Sequence, residues 1–132
     1  MATWQDVVNL CTDLGAVATD SDNDTFRYGM QFDNGRKQSC IIMFQRATNG
    51  AEWVLIDSPI GDVDANNLPV LLDNARRNLC GGVIAYPGGS PVVLHHSQPL
   101  SSLRVEDLLS ILGLILKAAD DLQATFVGDD PF

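Results

Sequence analysis

The chain has 132 residues, 45% of them hydrophobic and 19% charged, enough for one domain with a real core and too apolar for wholesale disorder. Its formal charge is −9 with a pI of about 4.3, so nucleic-acid phosphates and anionic membranes are repelled by default. The basic clusters that would override this, Arg36–Lys37–Arg46 and Arg76–Arg77, are small.

In chain order, Thr3 caps a helix predicted over about residues 4–14, on the spacing of Trp4, Val7, Val8, Leu10, Cys11 and Leu14, and Gly15 stops it. The N-terminus "MATWQDVVNLC" has no basic flank before an apolar run, so no signal peptide is expected. "ATDSDNDT" then reads as a loop. Residues 1–25 hold five aspartates and no Lys or Arg, which gives this end a solvated acidic surface, or a landing site for a basic partner.

"FRYGMQFD" alternates Phe26, Tyr28, Met30 and Phe32 against Arg27 and Gln31, the pattern of a half-buried strand. Asn34-Gly35 suits a type I′ hairpin turn, "KQSCIIMFQRA" a second strand, Asn49-Gly50 another turn and "EWVLIDS" a third strand. Pro59 and Gly61 end this meander. "NNLPVLLDNARRNLC" predicts a helix capped by Asn66 or Asn67, with Pro69 in its first turn and Leu68, Leu71, Leu72, Ala75 and Leu79 as its core stripe. "GVIAYPG" and "PVVLHHSQ" are two further strands, and "LRVEDLLSILGLILKAADDLQATF" is the longest helix. The order is α-β-β-β-α-β-β-α in a single domain, residues 1–132. It makes an α+β fold with a five-stranded antiparallel sheet and helices on one face.

Candidate chemistry is sparse. The histidines, His95 and His96, are adjacent on a strand, so they face opposite ways and cannot chelate one metal. His96 falls on the more apolar side with Val92 and Leu94. A functional histidine needs a distant carboxylate that the sequence does not identify. From Asp20 a calcium-loop register runs Asp20, Asp22, Asp24, but Thr25 stands at its glycine position and Gln31 at its bidentate one. A register from Asp62 through Asp64, Asn66 and Asp73 lacks the glycine and contains Pro69. "YPGGSP" has no Lys or Thr at phosphate-loop spacing and suits a hairpin turn. Cys11, Cys40 and Cys80 form no C-x-x-C and sit among apolar residues, as buried free thiols do, and Ser39-Cys40 has no His or Asp at catalytic spacing. No catalytic, cofactor or metal residue is assigned, and a reducing, cytoplasmic setting is the simpler expectation. The apolar stretch Leu108–Leu116 is too short to span a bilayer.

The last helix is apolar well beyond one stripe, through Leu108, Leu109, Ile111, Leu112, Leu114, Ile115 and Leu116. Either the first helix covers the excess or a second chain does.

The meander "FRYGMQF…QSCIIMFQRA…EWVLIDSPIG", the helix "LPVLLDNARRNL" running into "GGVIAYPG", and the closing "EDLLSILGLILKAADDL" together resemble the type III secretion chaperone-like fold over essentially the whole chain. "AADDL" is similar to the end of YbjN-like proteins and secretion chaperones. The resemblance implies a small acidic, cytoplasmic, non-enzymatic, homodimeric chaperone or regulator that holds a client protein segment, with no cofactor. The candidate dimer or partner surface is the middle helix, through Val70, Asn74 and Arg77, or the strand before it. The rival readings are a small-ligand binder or enzyme with a pocket between sheet and helices, containing His95 or His96 and an aspartate, and a structural subunit of a larger assembly.

Overall fold

The computed structural model describes residues 1–76 and 81–127. Helix α1, Trp4–Asp13, starts where the sequence puts it. Asp6 N–H donates to Thr3 Oγ1 at 3.2 Å and Thr3 N–H to Asp6 Oδ2 at 2.9 Å, closing a capping box. Gly15, at φ 78°, takes the chain out of the helix in a left-handed conformation.

The next segment is not all loop. Val17–Ala18 forms a short strand, β1, antiparallel to β2, Thr25–Gln31. Thr19 N–H donates to Thr25 O at 2.9 Å and Asp24 N–H to Asp20 Oδ1 at 3.1 Å, so the acidic run is a self-bonded turn. The sheet therefore has six strands rather than the expected five, and the order becomes α-β-β-β-β-α-β-β-α.

Strands β2, β3 (Lys37–Arg46) and β4 (Glu52–Gly61) form the expected meander. Its turns take the three-residue form, not type I′. Phe32 pairs with Arg36 around Gly35, and Ala47 with Ala51 around Gly50, with φ 85° at each glycine. Type I′ needs left-handed geometry at both central residues, and in each Asn-Gly pair only the glycine adopts it.

Pro59 does not end the strand; β4 continues to Gly61. The β3–β4 ladder stops at Asp57, two residues before Pro59, which has no N–H to give it. Side chains take over there: Gln38 Nε2 donates to Pro59 O at 2.6 Å and Ser58 Oγ to Ser39 O at 2.7 Å. The irregularity between Pro59 and Gly61 is absorbed in the pairing with β6, Val92–Pro99. The sheet is completed by β5, Gly82–Ala85, in the order β1-β2-β3-β4-β6-β5.

Helix α2, Leu68–Ala75, has Pro69 in its first turn, but Asn67 makes no side-chain cap. Asp64 shapes this entry instead, accepting from Asn66 N–H at 2.8 Å through Oδ1 and from Leu68 N–H at 3.1 Å through its carbonyl. Leu71 and Ala75 are buried, whereas Leu72, expected in the core stripe, is 47% exposed. Leu79 and Cys80 lie outside the described residues.

Helix α3, Val105–Phe126, lays Leu108, Leu112, Ile115, Leu116 and Ala119 onto the sheet. They meet Cys40 and Ile42 of β3, Val54 and Ile56 of β4, and Leu94 of β6. All three helices add buried side chains to this one core, Val7 and Cys11 from α1 and Leu71 and Ala75 from α2. The apolar excess of α3 is only partly covered. Ile111 and Ala118 pack against the core, but Leu109 and Leu114 remain 47% and 45% exposed.

A polar seam closes the far end. Arg36, at the β2–β3 turn, bonds Asp120 Oδ1 at 3.0 Å and Gln123 Oε1 at 3.2 Å, both on α3. The Asp120 side chain is only 2% exposed, so its charge depends on that guanidinium. Arg36→Ala is expected to cost about 3 kcal/mol or more by stranding the carboxylate, and Arg36→Leu with Asp120→Leu to recover most of the loss, both read from urea midpoints.

Candidate functional site

The pleat gives the sheet a second face with no part in the helix core. Ile41 and Met43 of β3, Trp53 and Leu55 of β4, and Val93 of β6 alternate with core residues and stay outside that cluster. All are half-buried except Val93, which is buried. This is an open apolar face, of the kind that marks an interaction surface in a soluble domain.

A hydrogen-bonded trio stands on it. Register pairs Ile41 with Asp57 and Asp57 with His95. The His95 Nδ1–H donates to Asp57 Oδ1, and Tyr86 Oη, from the β5–β6 connection, donates to Asp57 Oδ2 at 2.7 Å. Asp57 is 5% exposed, and both of its oxygens are satisfied by these donors. Burial, then the hydrogen bond to Asp57 and the carboxylate's charge, push the Tyr86 hydroxyl up to about 12. With Nδ1 engaged, the imidazole presents Nε2 beside a depression of about 210 Å³ lined by Gln45, Ala47, Trp53, Leu55, His95 and Ser97.

His96 lies on the helix-bearing face, its Nε2 3.4 Å from Gln98 Oε1. The histidines thus diverge, as alternation requires. Among the described residues no three His, Cys, Asp or Glu side chains gather at metal-binding distance. Both candidate calcium registers serve as turns, with Asp20 and Asp64 bonding their own backbone. Cys11 and Cys40 are buried free thiols, pushed up to about 11 and about 12 by burial, which disfavours the thiolate a nucleophile needs. The pocket expected between sheet and helices is corrected by the packing. Ile42, Ile56, Leu94, Leu112, Ile115 and Leu116 fill that layer, and the depression beside His95 is on the opposite face.

Of the expected surface residues, Val70 is 56% exposed and Asn74 half-buried on α2, while Arg77 lies outside the described residues. The sequence reading missed Asp57 and Tyr86. An aspartate inside an apolar strand was the available signal, but its pairing with His95 depends on β4 lying beside β6, which no local pattern states.

No protein-family model and no curated protein matches this sequence. Solved structures do. A chain of the ExsC–ExsE complex aligns with a TM-score of 0.63 at 15% identity, covering 96% of this chain and 97% of that one. A chain of the HopA1–SchA chaperone–effector complex aligns with a TM-score of 0.56 at 15% identity, covering 93% and 98%. The architecture is the type III secretion chaperone-like α+β fold.

The Tyr86–Asp57 bond predicts a specific alkaline behaviour. The unfolded phenol ionises near 10 and the folded one near 12, so this group's contribution to stability is whole below 10 and is lost as pH rises through 12. Denaturation midpoints measured across that window should fall less steeply for Tyr86→Phe than for the parent chain.

Proposed function

We propose that this chain is a non-enzymatic protein-binding module that holds an extended client segment on its sheet, as a chaperone or regulator. The open apolar face is the observation that carries the reading, because a face bare of helices needs a partner to cover it. The sheet also offers an edge. The two-residue β1 pairs only with Phe26 and Arg27, so the outer edge of β2 from Tyr28 to Gln31 has no neighbouring strand among the described residues. Unpaired backbone groups of this kind accept an added strand. That the similar structures are complexes with partner proteins, one described as chaperone–effector, supports the same reading.

The homodimer belongs to this proposal. Val70 and Leu72 are exposed on α2, and Ile84 is 40% exposed on the edge strand β5 packed beside it. Val70 lies on the middle-helix surface to which Asn74 also belongs, and Ile84, paired with Val93, stands on the open face at the end strand of the sheet. A cytoplasmic location accords with buried unpaired thiols; among the described residues no helix is long and apolar enough to cross a membrane.

Two measurements test this. Light scattering at two concentrations should give a dimer for the parent chain and a monomer for Val70→Asp with Leu72→Asp; a parent chain monomeric at both sinks the dimer. Pull-down from the native host should recover one stoichiometric polypeptide, and Ile41→Asp with Leu55→Asp should release it while leaving the circular dichroism spectrum intact. Retention by that variant sinks the open face as the client site.

A further inference from the structure

We infer that the depression beside His95 receives a tyrosine side chain of the client, whose phenol hydroxyl donates a hydrogen bond to His95 Nε2. This rests on the client-holding reading and names the side chain that the open face selects. Two residues behind the imidazole fix it as an acceptor. Asp57 is buried and accepts from Tyr86 Oη at 2.7 Å through Oδ2, which leaves Oδ1 to His95 Nδ1. A carboxylate only accepts, so the imidazole hydrogen sits on Nδ1, and the neutral ring turns a bare lone pair outward at Nε2. Asp57 is held beside His95 by strand register, and Tyr86 reaches it from the β5–β6 connection, so the ring is tethered in this orientation. Among the described residues Nε2 meets no hydrogen-bond partner. His96 differs: it lies on the helix-bearing face with Gln98 Oε1 3.4 Å from its Nε2.

The walls decide what must carry the donor. Ala47, Trp53 and Leu55 give the depression apolar walls, against Gln45, His95 and Ser97. A cavity of about 150 Å³ holds a benzene ring. This depression, at about 210 Å³, has room for such a ring and a hydroxyl beyond it. Serine or threonine would reach the nitrogen and leave the apolar walls wet. Phenylalanine or leucine would cover the walls and desolvate Nε2 without a donor, a larger loss than a neutral hydrogen bond gains. Arginine brings five N–H donors and a charge to one fixed acceptor between apolar walls. Tryptophan has one donor but needs space for a second fused ring. A phenol brings one donor on one flat apolar ring. A site built to bond a hydroxyl discriminates against the analogue that lacks it.

The test uses the full chain, isotope-labelled, and four synthetic peptides. They share one Gly/Thr frame and carry a single tyrosine, phenylalanine, tryptophan or arginine. In the free chain at neutral pH, nitrogen-15 spectra should show His95 with hydrogen on Nδ1 and a bare Nε2. The tyrosine peptide should move that Nε2 resonance and the Trp53 indole. It should bind about fivefold more tightly than the phenylalanine peptide, the scale of one neutral hydrogen bond. His95→Leu should close that gap while still binding the phenylalanine peptide. Should this change unfold the chain by stranding Asp57, His95→Leu with Asp57→Leu removes both partners and reads the same gap. Equal or tighter binding of any other peptide overturns the inference. So does an Nε2 that carries hydrogen, a tyrosine preference that survives the loss of His95, or no response of His95 and Trp53 to all four. The client reading stands or falls separately, on whether the parent chain retains a polypeptide that Ile41→Asp with Leu55→Asp releases.

Discussion

The docking of α3 across β3, β4 and β6 is the contact on which the rest depends. Leu108, Leu112, Ile115 and Leu116 are fully buried and meet Ile42, Ile56 and Leu94, which are buried to the same degree. Burying such side chains contributes about 1.5–3 kcal/mol each, so this layer outweighs any single polar contact in the molecule. Its position has a structural consequence. With α1 and α2 adding to the same core, the helical material is used on one side, and outward residues such as Ile41, Met43, Trp53 and Leu55 stay only half-buried.

The end of that layer is set by charge rather than apolar area. Arg36 reaches from the β2–β3 turn to Asp120 and Gln123, and Lys117 sits 5.5 Å from the centre of the Phe32 ring in the same hairpin. The exposed Lys117–Asp121 pair adds little, but the buried Arg36–Asp120 pair fixes where the hairpin meets the helix. A slip of one helical position would bury Asp120 without a cation. Such a pair gives registry more than net stability.

Much of this was legible in the sequence because it is local. Thr3 with Asp6, the alternation of Phe26, Tyr28 and Met30, and the apolar stripe from Leu108 to Leu122 each specify an element without outside help. What stayed hidden depends on neighbours distant in the chain. Val17–Ala18 becomes a strand only because β2 presents a free edge to it, and two residues carry no period to detect. Pro59 reads as a terminator until Gln38 and Ser58 supply bonds the ladder lacks. Leu72 fits the helical stripe of α2, yet α3 meets only the side bearing Leu71 and Ala75. The candidate site was the least visible part. His95 was noticed for its composition, whereas its meaning comes from Asp57 one strand over and Tyr86 in the next connection.

An apolar face left open is a hazard in an isolated protein, and the charge distribution answers it. Acidic groups crowd α1, the turn after it and the start of α3, so copies repel one another at a distance through most of their surfaces. The face itself is nearly free of acid, and its carboxylate is tied down by two donors. In the proposed reading, that long-range repulsion opposes face-to-face contact between copies, while the dimer forms at the middle helix. An extended client peptide, as proposed, is opposed less because it brings few charges and can lie across the strands.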